Sequence, residues 1–403
     1  MKRYLKNFVI TYEFVKDSIY LCLNTNSRWR RRDTRLFLID YYQEYLEVKE
    51  KRICSKSKIR KILDENLPQN KEMFFPVIDW IAEKILLEIK TETVSFPPIK
   101  YDLRYDGTSA KIRKIGTLSI KQQLYDYIIV NACKEMLFAK FGHYQVGAIP
   151  KKGQKFAKES IEYWTRRKSD ECKYIFKGDI HHFYNTVNHD ILKKMLARDI
   201  KSKEILYISY KLIDSFEEGL CIGSFVCQYW ANYYLSYLYH YVSEFLYSER
   251  RGKRIKWVNH ILFQMDDLYF FSSNKKYLKM AVKATERYLN KKLDLELKPS
   301  WQIFPLGSRP IDVVGFKIYQ EKTTIRSRNF KRIKKVCKKI LKQENKPTLK
   351  QAKRLVSYNG FIKYSNSNKF NKQYKIDELL KNSKEVISNE AKKCWIYRYS
   401  ACI

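Results

Sequence analysis

The run Ile261-Leu262-Phe263-Gln264-Met265-Asp266-Asp267-Leu268-Tyr269-Phe270-Phe271 sets two adjacent acids between two apolar stretches. The apolar flanks read as strands, and the acids then fall at the tip of a hairpin. Burying two neighbouring carboxylates is costly, because each loses its hydration. A divalent cation held between them would offset that cost. Well upstream, Tyr174-Ile175-Phe176-Lys177-Gly178-Asp179-Ile180 is a second strand ending on a lone acid. One acid on a strand and two on a hairpin tip form a ligand set suited to a pair of magnesium ions.

The charge narrows the partners. The 403 residues carry 80 Lys and Arg against 43 Asp and Glu, a formal charge of +37. Hydrophobic residues make up 45% of the chain, so this is a folded protein and not a basic tail. Such an excess calls for a polyanion, and nucleic acid fits better than an acidic membrane. The 32 tyrosines supply rings that can stack on bases, although most must fill core. Nine cysteines without a CxxC pair read as free thiols in a reducing compartment. No apolar stretch is long enough to span a bilayer and no leader is evident, so a cytoplasmic protein without membrane contact is expected.

Along the chain, apolar residues recur at helical spacing through 8–21 and 75–87. The cluster Arg28-Trp29-Arg30-Arg31-Arg32 between them reads equally as a solvated helix start or as phosphate contact. Ser95-Phe96-Pro97-Pro98 breaks the helical pattern. Two strands follow, Tyr101–Tyr105 and Lys111–Gly116, joined by a turn at Asp106-Gly107. Helices are expected at 123–138, 189–197, 201–216, 226–246 and 275–292, with short strands at 294–298 and 312–319. Irregular alternation of strands and helices predicts an α+β fold with an antiparallel sheet. Residues 322–403 hold 23 Lys and Arg against 5 Asp and Glu. There Phe330, Ile333, Val336 and Ile340 make an apolar stripe flanked by Arg328, Lys331, Arg332, Lys334, Lys335, Lys338 and Lys339, an amphipathic helix with a basic outer face.

Five ordered motifs resemble those of bacterial reverse transcriptases, over roughly residues 100–320. Asp179-Ile180-His181-His182-Phe183-Tyr184 is similar to the first catalytic motif. Gly219-Leu220-Cys221-Ile222-Gly223-Ser224 through Gln228 is similar to the next, and Met265-Asp266-Asp267 to the catalytic hairpin. Leu295-Glu296-Leu297-Lys298-Pro299 and Val314-Gly315-Phe316 follow in the family's order. The resemblance implies a right-hand polymerase fold in three parts: a helical N-terminal extension over 1–98, fingers and palm over 99–320, and a basic helical thumb with its tail over 321–403.

The same resemblance implies an RNA-directed DNA polymerase. Asp179 and Asp266 would share two Mg²⁺ ions, with Mn²⁺ as a substitute. Asp267 would act as an outer ligand, and Ile180 would lend its carbonyl. Lys111 and Arg113 resemble the triphosphate-binding cations, Tyr184 the ring that rejects a ribose 2′-hydroxyl, and Gln228 a further nucleotide contact. Lys331, Arg332, Lys334, Lys335, Lys338 and Gly315 would meet the template–primer duplex. Lys151-Lys152-Gly153-Gln154 is similar to the template-side loop. The implied partners are an RNA template, dNTPs, a DNA product, and a second protein or a second copy of the chain. His181, His182 and His189 lie close together in sequence, but no Cys or acid completes a zinc set, which favours ordinary polar positions.

Some positions depart from the family. Gln264 stands where a Tyr or Phe is usual, and Trp301 aligns with the usual general-acid Lys, a role Lys298 could take. Ile222 replaces the Gln of retroviral enzymes, and Cys227-Gln228 is close to the Ser-Gln of diversity-generating retroelements. The departures at Gln264 and Cys227 and the long extension point to an antiphage defence enzyme working on a dedicated noncoding RNA, whereas Ile222 with Gln228 resembles the retroelement enzymes. A diversity-generating retroelement enzyme and a non-catalytic RNA-binding scaffold are the alternatives.

Overall fold

The computed structural model describes residues 4–66, 75–106 and 111–400, apart from side chains at 26, 27, 30, 63–66, 106, 111 and 391–400. The turn expected at Gly107 lies outside these residues. The fold is α+β, and by contacts the chain divides into two interleaved units.

The first unit comprises 1–143, 180–241 and 284–298. It opens with helices α1 (Tyr12–Asn24), α2 (Arg32–Lys49), α3 (Lys56–Asn66) and α4 (Phe75–Lys90). Thr11 caps α1, its side chain accepting from the Phe14 amide at 3.3 Å. Val15, Ile19, Val77, Ile78 and Ile81 are fully buried between α1 and α4. Each such side chain contributes about 1.5–3 kcal/mol through burial. The basic cluster divides: Arg28 turns inward to Cys22 Sγ at 2.9 Å and over the Tyr127 ring, and Trp29 is buried. Arg31 and Arg32 stay exposed.

Strands β1 (Lys100–Asp106) and β2 (Lys111–Thr117) then form an antiparallel ribbon, as expected. Helix α5 (Ile120–Lys140) follows. After the short α7 (Phe183–Thr186) come α8 (His189–Asp199), α9 (Lys203–Asp214) and α10 (Phe225–His240). Helix α10 is buried on nearly all sides, as a helix apolar all round must be, whereas α5 is buried along its first half and exposes Lys134, Glu135 and Phe138 in its second.

The second unit comprises 144–179, 242–283 and 299–403. Its centre is a five-stranded sheet in the order β3-β7-β8-β4-β9. The strands are β3 (Gln145–Val146), β4 (Tyr174–Asp179), β7 (His260–Gln264), β8 (Asp267–Ser272) and β9 (Gln302–Pro305). All pairings are antiparallel except β3 with β7, so the expectation of a purely antiparallel sheet is corrected at that edge. Helix α6 (Gln154–Arg167) and the three-stranded sheet β10 (Ile311–Val313), β11 (Phe316–Ile318) and β12 (Thr323–Ile325) pack on one core with Ile175, Leu262, Tyr269 and Phe271.

A separate ribbon, β5 (Tyr247–Arg250) with β6 (Lys253–Lys256), precedes β7 and was not expected from the sequence. Helix α10 stops short of 246, giving way to a π-turn over Tyr241–Phe245. Helix α11 (Lys275–Tyr288) likewise ends in a π-turn, Leu289–Leu293. The expected strand at 294–298 reduces to a single bridge between Ile180 and Leu297.

Helices α12 (Ser327–Leu341), α13 (Leu349–Lys363), α14 (Asn368–Gln373) and α15 (Ile376–Ser400) follow. Ile333, Val336 and Ile340 of α12 are buried, together with Cys337, and Phe330 packs on Phe370. Lys331, Lys334, Lys335 and Lys338 are exposed, whereas Arg332 is half-buried. The amphipathic helix read from the sequence is present.

Candidate active site

In the second unit, Asp179 ends β4 and pairs directly with Asp267, the first residue of β8. Asp267 also closes the hairpin against Gln264 of β7, leaving Met265-Asp266 as a two-residue tip. Residues paired across a ladder share a face, so Asp179 and Asp267 project together, with Cβ atoms about 5 Å apart. Met265 adopts φ +54°, a left-handed conformation that is rare for a side chain of this kind. Strain at such a tip persists where its surroundings hold it. Here the hold is close packing. A Cβ on Gly147, itself at φ +101°, would meet Gln264 Nε2 at 2.8 Å and Met265 Cγ at 3.3 Å. The Gly147 amide donates to the Lys152 carbonyl at 3.2 Å, so the basic loop 147–153 is fastened beside the hairpin tip.

The electrostatics follow from this crowding. Burial pushes the Asp267 carboxyl up to about 6, and Asp266 and Asp179 push it the same way, while Lys177 and Arg326 oppose them. Lys177 shares the face of Asp179, two residues back along β4. Its ammonium donates to the Asp312 carbonyl at 2.8 Å, an oxygen that also accepts from Tyr269 Oη at 3.0 Å. Arg326 binds the Asp312 carboxylate through Nε at 2.6 Å. Lys177, Arg326, Tyr269 and Asp312 thus form a cationic brace behind the acids. Sequence reasoning missed it, because Asp312 and Arg326 lie far along the chain in unremarkable surroundings.

No group of three or more His, Cys, Asp or Glu among the described residues forms a ready-made metal cage. The donors nevertheless fit Mg²⁺, which binds through one or two carboxylates, waters and substrate phosphates rather than an all-protein cage. Burial and the neighbouring Asp266 and Asp179 disfavour the ionised form of Asp267, a cost that a cation there would relieve.

The residues expected to meet a nucleotide belong to the first unit and are carried by elements that meet around one loop. The Gly116 amide of β2 donates to the Ile222 carbonyl at 2.8 Å, and the Leu220 amide to the Tyr184 carbonyl at 2.6 Å. A Cβ on Gly223, at φ +130°, would lie 2.2 Å from the Gly116 oxygen, and one on Gly219 2.1 Å from the Tyr184 oxygen. The ribbon bearing Lys111 and Arg113, the short helix bearing Tyr184, and the start of α10 bearing Gln228 are therefore joined backbone to backbone. Arg113 is exposed, and the Lys111 side chain lies outside the described residues. Tyr184 is half-buried with its ring edge-on to Phe183. Gln228 is exposed while its neighbours on α10 are buried, so its side chain is free of the core.

Asp126 holds this loop from below and was not foreseen. It is fully buried and accepts from Ser224 Oγ and the Phe225 amide, each at 2.8 Å, which caps α10. Burial pushes its carboxyl up to about 7 against those hydrogen bonds. Its apolar surroundings in α5 gave no sequence signal for a cap across nearly one hundred residues.

The remaining candidates separate. Ile180 is fully buried and bridged to Leu297. His189 Nε2 meets the Gly219 oxygen at 2.6 Å, and His181 packs on His182. Trp301 packs on Phe176, on the sheet face opposite the acids. Gly315, at φ +89°, has a packing reason: a Cβ would meet Phe361 Cε1 at 2.5 Å. A shallow depression of about 210 Å³, lined by Thr165, Leu306, Arg309, Ile318 and Tyr319, includes none of the acids.

No protein-family model matches the chain, and no curated protein matches it. Among solved structures it is similar to apo telomerase from Candida tropicalis, at 15% identity and TM-score 0.44, over 94% of this chain and 76% of that one. Telomerase from the same organism in complex with a TWJ fragment of telomeric RNA gives 14% identity and TM-score 0.43, over 94% and 72%. Its Candida albicans counterpart, with the same kind of fragment, gives 11% and 0.44, over 74% and 61%.

Proposed function

We propose that the chain is an RNA-directed DNA polymerase working by two-metal phosphoryl transfer. The observation that carries this reading is the direct pairing of Asp179 with Asp267, with Asp266 on the strained tip beside them. Asp179 and Asp266 would hold two Mg²⁺ ions, with Asp267 and the Ile180 carbonyl as further oxygens. Bound there, the ions supply activation of the primer 3′-hydroxyl and neutralisation of the triphosphate.

The chain's own residues supply position and charge. Lys177 and Arg326 favour the ionised form of Asp267 that a cation needs. Lys111 and Arg113 meet the triphosphate, Gln228 reaches the nucleotide from α10, and the Tyr184 ring rejects a ribose. The exposed lysines of α12, with Arg332 and Gly315, follow the template–primer duplex through phosphates and 2′-hydroxyls. The template is a dedicated noncoding RNA of an antiphage system, a setting supported by Gln264, Cys227 and the helical extension.

Primer extension on primed RNA with Mg²⁺ or Mn²⁺ tests the activity. Wild type should incorporate dNTPs and Asp266→Asn should not. A wild-type chain that incorporates none on any primed RNA favours the scaffold reading. Sequencing the nucleic acid that co-purifies should return one noncoding RNA; a variable-repeat transcript would instead indicate the retroelement setting.

A further inference from the structure

The β5–β6 ribbon stands apart from both larger sheets and is unusually basic. Arg250, Arg251, Lys253, Arg254 and Lys256 face a single acid, Glu249, within ten residues. An isolated two-stranded ribbon is marginal by itself, but this one is pinned at its base. The Trp257 amide donates to the Leu246 carbonyl at 2.9 Å, and the Trp257 indole to Ser248 Oγ at 2.7 Å. Its tip is a tight turn with both central residues at positive φ, Arg251 at +50° and Gly252 at +70°. Glu249 is engaged by Arg254, whose guanidinium also lies over the Tyr247 ring. Arg250, Arg251 and Lys253 are exposed, and among the described residues no carboxylate pairs with them. Like charges concentrated on a stiff, extended element repel one another, so the tip favours a polyanion that neutralises it. At the foot of the ribbon Phe245 is 65% exposed.

We infer that the β5–β6 ribbon, with Phe245, is a binding surface for single-stranded RNA. Arg250, Arg251 and Lys253 take successive phosphates, and Phe245 offers a stacking platform for one base. Aromatic and basic groups together suit a single strand, because only an unstacked base can use the exposed ring. The deep, narrow major groove of duplex RNA would not admit such a ribbon. The choice of RNA over DNA rests on the polymerase reading, in which an RNA strand is the template.

Fluorescence anisotropy with a labelled oligo-uridine strand of about 16 nucleotides, on the full chain, tests this. The variant Arg250→Gln/Arg251→Asn/Lys253→Gln should keep its turn, because Asn-Gly is a preferred pair for it. With an unchanged melting temperature, it should bind about tenfold or more weakly at moderate salt. Its log K against log salt should be shallower by about 2, for three phosphates lost. Phe245→Ala should weaken binding without changing that slope, and Phe245→Trp should restore it. Unchanged affinity and slope in the triple variant would overturn the inference, as would an equal loss on duplex DNA or a larger loss on single-stranded DNA. Primer extension by the wild type, measured alongside, reports separately on the polymerase reading.

Discussion

Asp179 and Asp267 occupy opposed positions on β4 and β8, so two carboxylates leave the same face of one sheet. Nothing local to either strand demands this. It arises because β4 and β8 are neighbours in the order β3-β7-β8-β4-β9, which puts the lone acid against the double one.

Burial of Asp267, reinforced by its acidic neighbours, makes stability pH-dependent in a defined direction. The Asp267 carboxyl sits at about 6 in the fold against 3.8 ordinarily. Between those values the unfolded chain has lost its proton and the folded chain retains it, so stability falls as pH rises through that window. The melting temperature of Asp267→Asn, measured without divalent metal, should therefore gain on wild type from about pH 4 to about pH 6 and then hold a constant advantage. Adding Mg²⁺ at pH 8 should raise wild type more than the variant. Parallel curves across the whole range would refute the burial of Asp267 beside like charges.

The 219–224 loop, which joins β2, α7 and α10, depends on glycine. Gly223→Ala would drive a Cβ to 2.2 Å from the Gly116 oxygen at a φ of +130°, and should cost more than about 3 kcal/mol in chemical denaturation. Gly252→Ala, at φ +70° with open space around it, should cost only about 1 kcal/mol. Equal costs would mean that the ribbon β1–β2 is not locked to the 219–224 loop.

Sugar discrimination should reside in one ring. Tyr184→Ala should raise the efficiency of rNTP incorporation relative to dNTP by at least about tenfold in single-nucleotide extension. A variant as selective as wild type would remove Tyr184 from the nucleotide site.

Duplex binding should be strongly salt-dependent. With about 6–10 phosphates neutralised, affinity should fall about 10³–10⁵-fold between 50 and 200 mM salt. Replacing Lys331, Lys334, Lys335 and Lys338 with Ala should flatten the slope by about 3 to 4, because each exposed lysine accounts for one phosphate. An unchanged slope would assign the basic face of α12 to solvent.

Much of this was legible in the sequence, for physical reasons. The acid hairpin announced itself because carboxylates between apolar strands are rare and costly, and α12 because its stripe and its charge share one period. The β5–β6 ribbon was hidden by its composition: Glu249-Arg250-Arg251 and Lys253-Arg254 carry little strand preference, and its pairing rests on the tight turn at Arg251-Gly252. The 294–298 segment looked like a strand by alternation, yet it finds one bridging partner, Ile180. Asp126, Asp312 and Arg326 were invisible because their partners come from other elements. Lys177 gave no signal for the same reason: its partner is a backbone oxygen of β10.

Asp179 and Asp266 are expected to hold two cations together. Electron paramagnetic resonance of Mn²⁺ titrated into the full chain with primed RNA and a non-hydrolysable dNTP counts those ions directly. Two bound ions per chain are expected for wild type, with both lost in Asp179→Asn/Asp266→Asn at unchanged RNA affinity. Ions retained by that variant, or none bound by wild type, would contradict it.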